Sequence, residues 1–367
     1  MKIVILQDRL RLGGTETQAL ALGGLWAKAG HEVRLVTFRP GGELAQTPAA
    51  KALQPVVLQR RDWRLDWFAP KLRETVAGLA PDVIVAFGRE ANAKLPKLAG
   101  LAPRVGTVRS GRPQPGRFWR GLRAAEAVVA NTRWAVGTAL AHGVSKKRIQ
   151  VIYSGLARDV RVADPAAVRA EWRKRAETPD ETVVLLCVAC FREGKGQDIL
   201  LRAVAQLDKE LRWQLWLAGD GPWLRMCRDL AVDLKLQKRV RFLGAVEDPV
   251  PLYAAADVAA LASEAESLPN FVIEAQAAGL PVVTTDVGGM DECVDDGRTG
   301  RLAPEYDMLA FAEALGKTIR DPAWRAAARE PAQARAAKLF DAAANTARWL
   351  GLLGDVAAQR ETVKGKS

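Results

Sequence analysis

The chain has 367 residues, 49% of them apolar and 26% charged, with 54 Lys+Arg against 42 Asp+Glu and a formal net charge of +12. This describes an ordinary soluble globular protein, long enough for two domains with cores of their own. No apolar stretch approaches the roughly 20 residues of a spanning helix, and the first apolar run is too short for a secretory signal, so a cytoplasmic location is expected.

The first half alternates short apolar strands with helical stretches. Strands are predicted at Lys2–Leu6, Glu32–Phe38, Asp82–Phe87, Val105–Val108, Ala127–Ala130 and Gln150–Tyr153, with helices such as Thr15–Ala29 and Arg133–His142 between them. A polar segment, 157–181, reads as a linker with a short helix. The second half repeats the pattern, with strands at Thr182–Cys190, Trp213–Ala218, Val240–Leu243, Val258–Ala262 and Pro281–Thr285. Helices at about 197–208, 222–235, 269–278 and 307–319 separate them by their apolar periodicity. Such alternation predicts an α/β chain with two doubly wound, Rossmann-like domains built on parallel sheets. Ligands of such sheets bind beyond the strand carboxyl ends, which places the expected site in a cleft between two facing domains. The Ala- and Arg-rich end, about 322–360, reads as one or two helices, and Glu361–Ser367 as a frayed tail.

Of four cysteines, Cys187 and Cys190 form a C-x-x-C, but inside the apolar run Val183–Phe191. No second C-x-x-C exists and the histidines are only His31 and His142, so buried strand cysteines are the better reading than a zinc site.

Glu266 and Glu274, with seven residues between them, carry the sharpest chemical signal. Pro269 fits the first turn of a helix. Glu274 then lies on that helix and Glu266 in the loop before it. A helix N-terminus is a natural anion site. Two carboxylates around an anion pocket suit a ligand with both hydroxyls and phosphates, such as a nucleotide sugar.

Other strand ends carry glycines. In Arg11-Leu-Gly-Gly-Thr-Glu-Thr, Gly13 and Gly14 permit close approach of a ligand and Thr15 can cap the helix; a plain turn or a phosphate site both fit. In Phe191-Arg-Glu-Gly-Lys-Gly, Arg192 and Lys195 could neutralise a leaving diphosphate, or be solvated surface charges. Leu217-Ala-Gly-Asp-Gly-Pro reads as a structural turn. Gly244, after Arg241-Phe-Leu, could let a flat base approach. No D-x-D triplet occurs, so no metal cofactor is expected and cations with helix dipoles would hold the phosphates.

Taken in order, these pieces resemble the retaining glycosyltransferases of family 4, the GT-B class. The likeness covers nearly the whole chain. It rests on Gly13-Gly14-Thr15-Glu16, Gly30-His31-Glu32-Val33, Lys195-Gly196, Ala218-Gly-Asp-Gly-Pro, Arg241-Phe-Leu-Gly, the Glu266-x7-Glu274 pair, and Gly279-Leu-Pro-Val-Val followed by Gly288-Gly289. Shorter stretches such as Glu266-Ser-Leu-Pro-Asn270 look like transferases that build bacterial cell-surface glycans, lipopolysaccharide among them.

The resemblance implies an acceptor-binding domain at 1–160, a linker at 161–181 and a nucleotide-sugar-binding domain at 182–335. The helix and tail at 336–367 would pack back on the first domain. It implies that Glu266 touches the donor sugar's hydroxyls and Glu274 the ribose. Amides around Leu268, Pro269, Asn270 and Phe271 would meet the diphosphate. Lys195 would stabilise the leaving phosphate, and Gly14 would approach the donor phosphate. The chain also departs from the family. Cys190 stands where an arginine is frequent, and Arg192 on the same loop is a candidate substitute. Arg109 stands where a histidine is frequent, Ser154 replaces an asparagine, and Ser267 a glycine.

Charge is uneven: residues 1–160 hold 26 Lys+Arg against 11 Asp+Glu, and the remainder 28 against 31. The basic residues concentrate in Arg60–Arg73, with Trp63 and Trp67, and in Arg104–Arg123, with Arg109, Arg112, Arg117, Arg120 and Trp119. Basic residues among aromatic ones suit an anionic inner-membrane face or a phosphorylated glycolipid acceptor; a solvated Arg-rich surface is the plain alternative. The expected partners are a nucleotide sugar, a glycolipid or polysaccharide acceptor and, peripherally, the membrane. A nucleotide-sugar epimerase of the same fold is a second enzyme reading. The pI of 9.8 raises nucleic-acid binding as a third, but no helix-turn-helix, zinc or RNP-type signature supports it.

Overall fold

The computed structural model describes residues 1–156 and 158–364. The chain divides into two compact units, Met1–Ala157 with Asp341–Ser367, and Arg158–Phe340. Residues 365–367 of the expected tail, and Ala157 of the expected linker, lie outside the described residues.

The first unit holds a seven-stranded sheet: β1 (Lys2–Gln7), β2 (Glu32–Thr37), β3 (Val56–Val57), β4 (Val83–Ala86), β5 (Arg104–Val108), β6 (Ala127–Ala130) and β7 (Ile149–Val151). Their order is β3-β2-β1-β4-β5-β6-β7, and every described pairing is parallel. Strands covered by helices on both faces need apolar side chains at both parities, and β1 is buried at all positions after Lys2. Alternate residues feed opposite faces. Val4, Leu6, Val36 and Ile84 join Phe118, Trp119 and Leu122 in one core. Ile3, Ile5, Leu35 and Val85 join Trp26, Trp349 and Leu353 in the other.

Trp349 belongs to the last helix, Ala342–Lys364, which packs on this unit. Its ring lies 5.6 Å from Trp26 and 6.0 Å from Phe87. Leu353 and Val356 are buried beside it, each contributing about 1.5–3 kcal/mol by burial.

The second unit holds β8 (Val183–Val188), β9 (Trp213–Ala218), β10 (Val240–Gly244), β11 (Val258–Leu261), β12 (Val282–Thr285) and β13 (Gly300–Ala303). Their order is β10-β9-β8-β11-β12-β13, again parallel throughout. β3, at two residues, is too short to leave a pattern in the sequence, and β13, Gly300–Ala303, has its apolar run broken by Arg301.

The segment expected as a linker is part of the second unit. Its helix, Pro165–Arg175, is capped by Asp164, which accepts from the Ala167 amide at 2.9 Å. Asp257 accepts from Arg169 and Arg173, each at 2.7 Å, and from the Val184 amide at 2.8 Å. One carboxylate thus ties the helix to the start of β8. The polar composition that suggested a linker is this ion-paired surface. Among the described residues no helix is long and apolar enough to cross a membrane.

Candidate active site

In the second unit the loops after β8, β11 and β12 converge. Gly196 adopts φ +70°, and a Cβ there would lie 1.8 Å from the Ala262 carbonyl oxygen. Only glycine lets the β8 loop approach β11 this closely. Gly288 adopts φ +62°, and a Cβ there would lie 1.7 Å from the Glu266 carbonyl oxygen. The Gly289 amide donates to the Ser267 carbonyl at 3.2 Å, so the loop carrying Glu266 is clamped from both sides.

The clamp brings together side chains 71 residues apart. Lys195 Nζ donates to Glu266 Oε1 at 2.5 Å, and Ser263 Oγ donates to the same oxygen at 3.0 Å. The Lys195 and Glu266 side chains are 18% and 11% exposed, so the pair is shielded yet reachable. An ammonium has three donors, and one bond to Glu266 leaves it able to serve a phosphate as well. Nothing in the sequence singles out Ser263, whose hydroxyl is a part of the site that spacing alone does not reveal.

The helix after this loop is Asn270–Ala277, with Pro269 as its N-cap instead of in its first turn, and no side chain caps it. Leu268 and Phe271 are buried and support the turn. Glu274 follows one turn on, 5% exposed. Its Oε2 accepts from the Tyr253 hydroxyl at 2.7 Å, and Arg158 Nε lies 3.4 Å from its Oε1. Burial raises its pKa above the usual carboxylate range, against the pull of Arg158 and Tyr253. Tyr253 sits on a helix, Val250–Ala255, that the sequence did not signal.

Arg192 lies on the Lys195 loop, where its carbonyl accepts from the Lys195 amide at 3.2 Å. Cys190 is half-buried nearby, and burial pushes the Cys187 thiol up to about 12. Gly219 and Gly221 approach the carbonyls of Ala189 and Phe191, which makes their turn structural. Gly244 ends β10 at φ +74° with open space where a Cβ would stand.

In the first unit the strand order reverses between β1 and β4, the kind of crevice where open sheets bind ligands. Gly13, not Thr15, caps the helix Gly14–Lys28. A Cβ on Gly13 would lie 2.5 Å from Glu16 Oε2. Asp8, just beyond β1, accepts from the Glu90 and Ala91 amides at 3.0 and 2.6 Å. Burial outweighs those two bonds and lifts its pKa to about 7.

In the second basic stretch the aromatic rings are buried while most of the arginines stay exposed. The helix Gly116–Arg123 buries Phe118, Trp119 and Leu122 and exposes its arginines. Trp119, expected at an acceptor or membrane surface, is in the core and donates its Nε1–H to the Gln114 carbonyl. The helical period put it on the inner face. Arg117 pairs with buried Glu90 at 2.7 Å; Arg112 and Arg120 are exposed. In the first stretch the tryptophan rings are exposed as well. Trp63 and Trp67 are 51% and 54% exposed. Gln59 Nε2 braces their loop by donating to the Leu65 and Phe68 carbonyls at 2.8 and 2.6 Å. Arg39 holds Asp62 and Asp66, while Arg60, Arg61 and Arg64 are exposed.

Comparison with known proteins agrees with this layout. The pattern of Glycosyltransferase Family 4 matches residues 12–159, and that of Glycosyl transferases group 1 matches residues 182–321. The lipopolysaccharide core biosynthesis glycosyltransferase LpsE of Rhizobium meliloti is 31% identical over 281 residues, covering 74% of this chain and 76% of that protein. The chain belongs to glycosyltransferase family 4. A D-inositol 3-phosphate glycosyltransferase of Thermobifida fusca is 34% identical over 236 residues, covering 58% of this chain. The chain spans about half the length of such relatives, 52% of that one and 46% of its Corynebacterium jeikeium counterpart. Anabaena Alr3699/HepE, solved in complex with UDP-glucose, superposes with a TM-score of 0.82 at 23% identity, over 97% of this chain and 100% of that one. That likeness establishes the GT-B fold.

Proposed function

We propose that this family 4 chain moves a sugar from a nucleoside diphosphate to a glycolipid or growing surface polysaccharide, retaining the anomeric configuration and using no metal. The observation that carries the reading is the Lys195–Glu266–Ser263 cluster beside the uncapped start of the Asn270–Ala277 helix. In it a cation, a carboxylate and backbone amides serve phosphate and hydroxyls together. Lys195, with Arg192 on its loop, neutralises the leaving diphosphate, and the helix start receives its oxygens. Glu266 orients the sugar hydroxyls. Ribose hydroxyls join Tyr253 on Glu274 and replace the long Arg158 contact.

The bond from the anomeric carbon to the diphosphate oxygen breaks, and the electron pair leaves with the diphosphate. The acceptor oxygen then bonds to that carbon from the same face. Its proton passes to the departing phosphate oxygen. The intervening state is oxocarbenium-like, as in glycoside cleavage.

Isothermal titration with a panel of nucleotide sugars tests the donor. The expected result is selective binding of one of them, with loss of nucleotide affinity in Glu274→Ala. A protein that binds no nucleotide sugar would overturn the reading. The relative LpsE and the solved HepE complex make a lipopolysaccharide-type acceptor and a UDP-linked donor the first choices.

For the membrane partner, the braced loop around Trp63 and Trp67 suits a peripheral position on an anionic leaflet. Each cation near such a surface is worth about 1 kcal/mol. Binding to anionic liposomes should fade with salt and drop in the variant Trp63→Ala, Trp67→Ala. Equal binding to neutral liposomes would remove this account.

A further inference from the structure

Arg109 leaves the sheet at the carboxyl end of β5, and its side chain is half-buried. Nη2 donates to the Ser154 hydroxyl at 2.6 Å. The guanidinium carbon lies 5.7 Å from the centroid of the Phe87 ring. Nε and Nη1 are buried and have no hydrogen-bond partner among the described residues. Burial alone moves its pKa, down to about 10, and no carboxylate opposes that shift.

Other arginines of this unit are matched differently. Arg39 meets Asp62 and Asp66, Arg104 meets Glu126, and Arg117 meets Glu90. A guanidinium offers five N–H donors in a planar fork. Leaving charged donors unpaired away from water is costly. Arg109 stands on the sheet end shared with Asp8 and the Gly13 loop, because β1, β4 and β5 are neighbours.

We infer that Arg109 recognises an anionic group, a phosphate or a carboxylate, on the sugar acceptor that the first unit binds. This rests on the transferase reading and deepens its acceptor half. Nε and Nη1 are closed to solvent in the described state, so binding turns the side chain outward. It exchanges one bond to a neutral hydroxyl for a bidentate, charge-assisted pair. The competing role is a brace: Arg109 would simply hold Ser154 where the chain leaves the first unit.

The test titrates the full chain with glucose, glucose 6-phosphate and glucuronate, and separately with UDP. The expected preference for an anionic sugar over glucose is on the order of ten- to a hundredfold. Glucose 6-phosphate and glucuronate tell which anion is read. Arg109→Gln should abolish the preference while UDP affinity stays as in the wild type. Arg109→Lys should keep only part of it, since an ammonium lacks the planar fork. Ser154→Ala removes the brace and leaves the guanidinium, so it should retain the preference even if Arg109→Gln fails to fold. Equal affinity of the wild type for the three sugars would overturn the inference, as would full selectivity in Arg109→Gln or lost selectivity in Ser154→Ala. Failure of the wild type to bind UDP or any nucleotide sugar, with selectivity intact, would instead count against the transferase reading.

Discussion

Replacing Glu266 by glutamine should lower sugar transfer by about 10²–10³, the scale of removing one group preorganised around a transition state, while nucleotide affinity changes little. Glutamine keeps the shape of the side chain but removes the charge that Lys195 and Ser263 address at 2.5 and 3.0 Å. Lys195→Ala should fall by a similar factor. Because both act through one contact, the double variant should lose much less than the product of the two losses. Measured kcat and nucleotide Kd for the three variants decide the matter. Wild-type turnover in Glu266→Gln would remove this carboxylate from the mechanism. Multiplying losses would mean that the two residues work independently.

Gly288→Ala should be strongly damaging, although it adds one methyl group. The residue is held at φ +62°, where a Cβ costs about 1–2 kcal/mol. The new carbon would also lie 1.7 Å from the Glu266 carbonyl oxygen, so the loop must give way. A displacement of about 1 Å at a reacting centre can cost ~10² in rate. Thermal melting should register the strain at about 2–4 °C per kcal/mol. Gly196→Ala should behave alike from the other side of the clamp. If Gly288→Ala melts lower but turns over normally, the glycine serves the fold and not the placement of Glu266.

Much of this architecture was legible in the sequence. Apolar runs of four to six residues broken by helical stretches can hardly be anything but covered parallel strands, and the Glu266–Glu274 spacing pointed at a helix start. What stayed hidden was pairing over long separations. Nothing near Glu274 announces Tyr253, and nothing near Asp257 announces Arg169 and Arg173. Trp119 misled because a basic, aromatic stretch looks the same whether its rings face solvent or the core. The helical period separates the two only when the helix itself is recognised, and Gly116–Arg123 is eight residues long. Arg109 was noticed for its charge, but its unpaired nitrogens depend on which side chains surround it.

The return of Ala342–Lys364 to the first unit has a consequence for how the protein is made. The second unit, Arg158–Phe340, is an insertion within the first. On the ribosome, where domains fold as they emerge, the inserted unit is whole while the one begun earlier still lacks Trp349, Leu353 and Val356 from one face of its sheet. The half that opens the chain is therefore the last to close, and until then Trp26 and Phe87 wait without the indole that covers them.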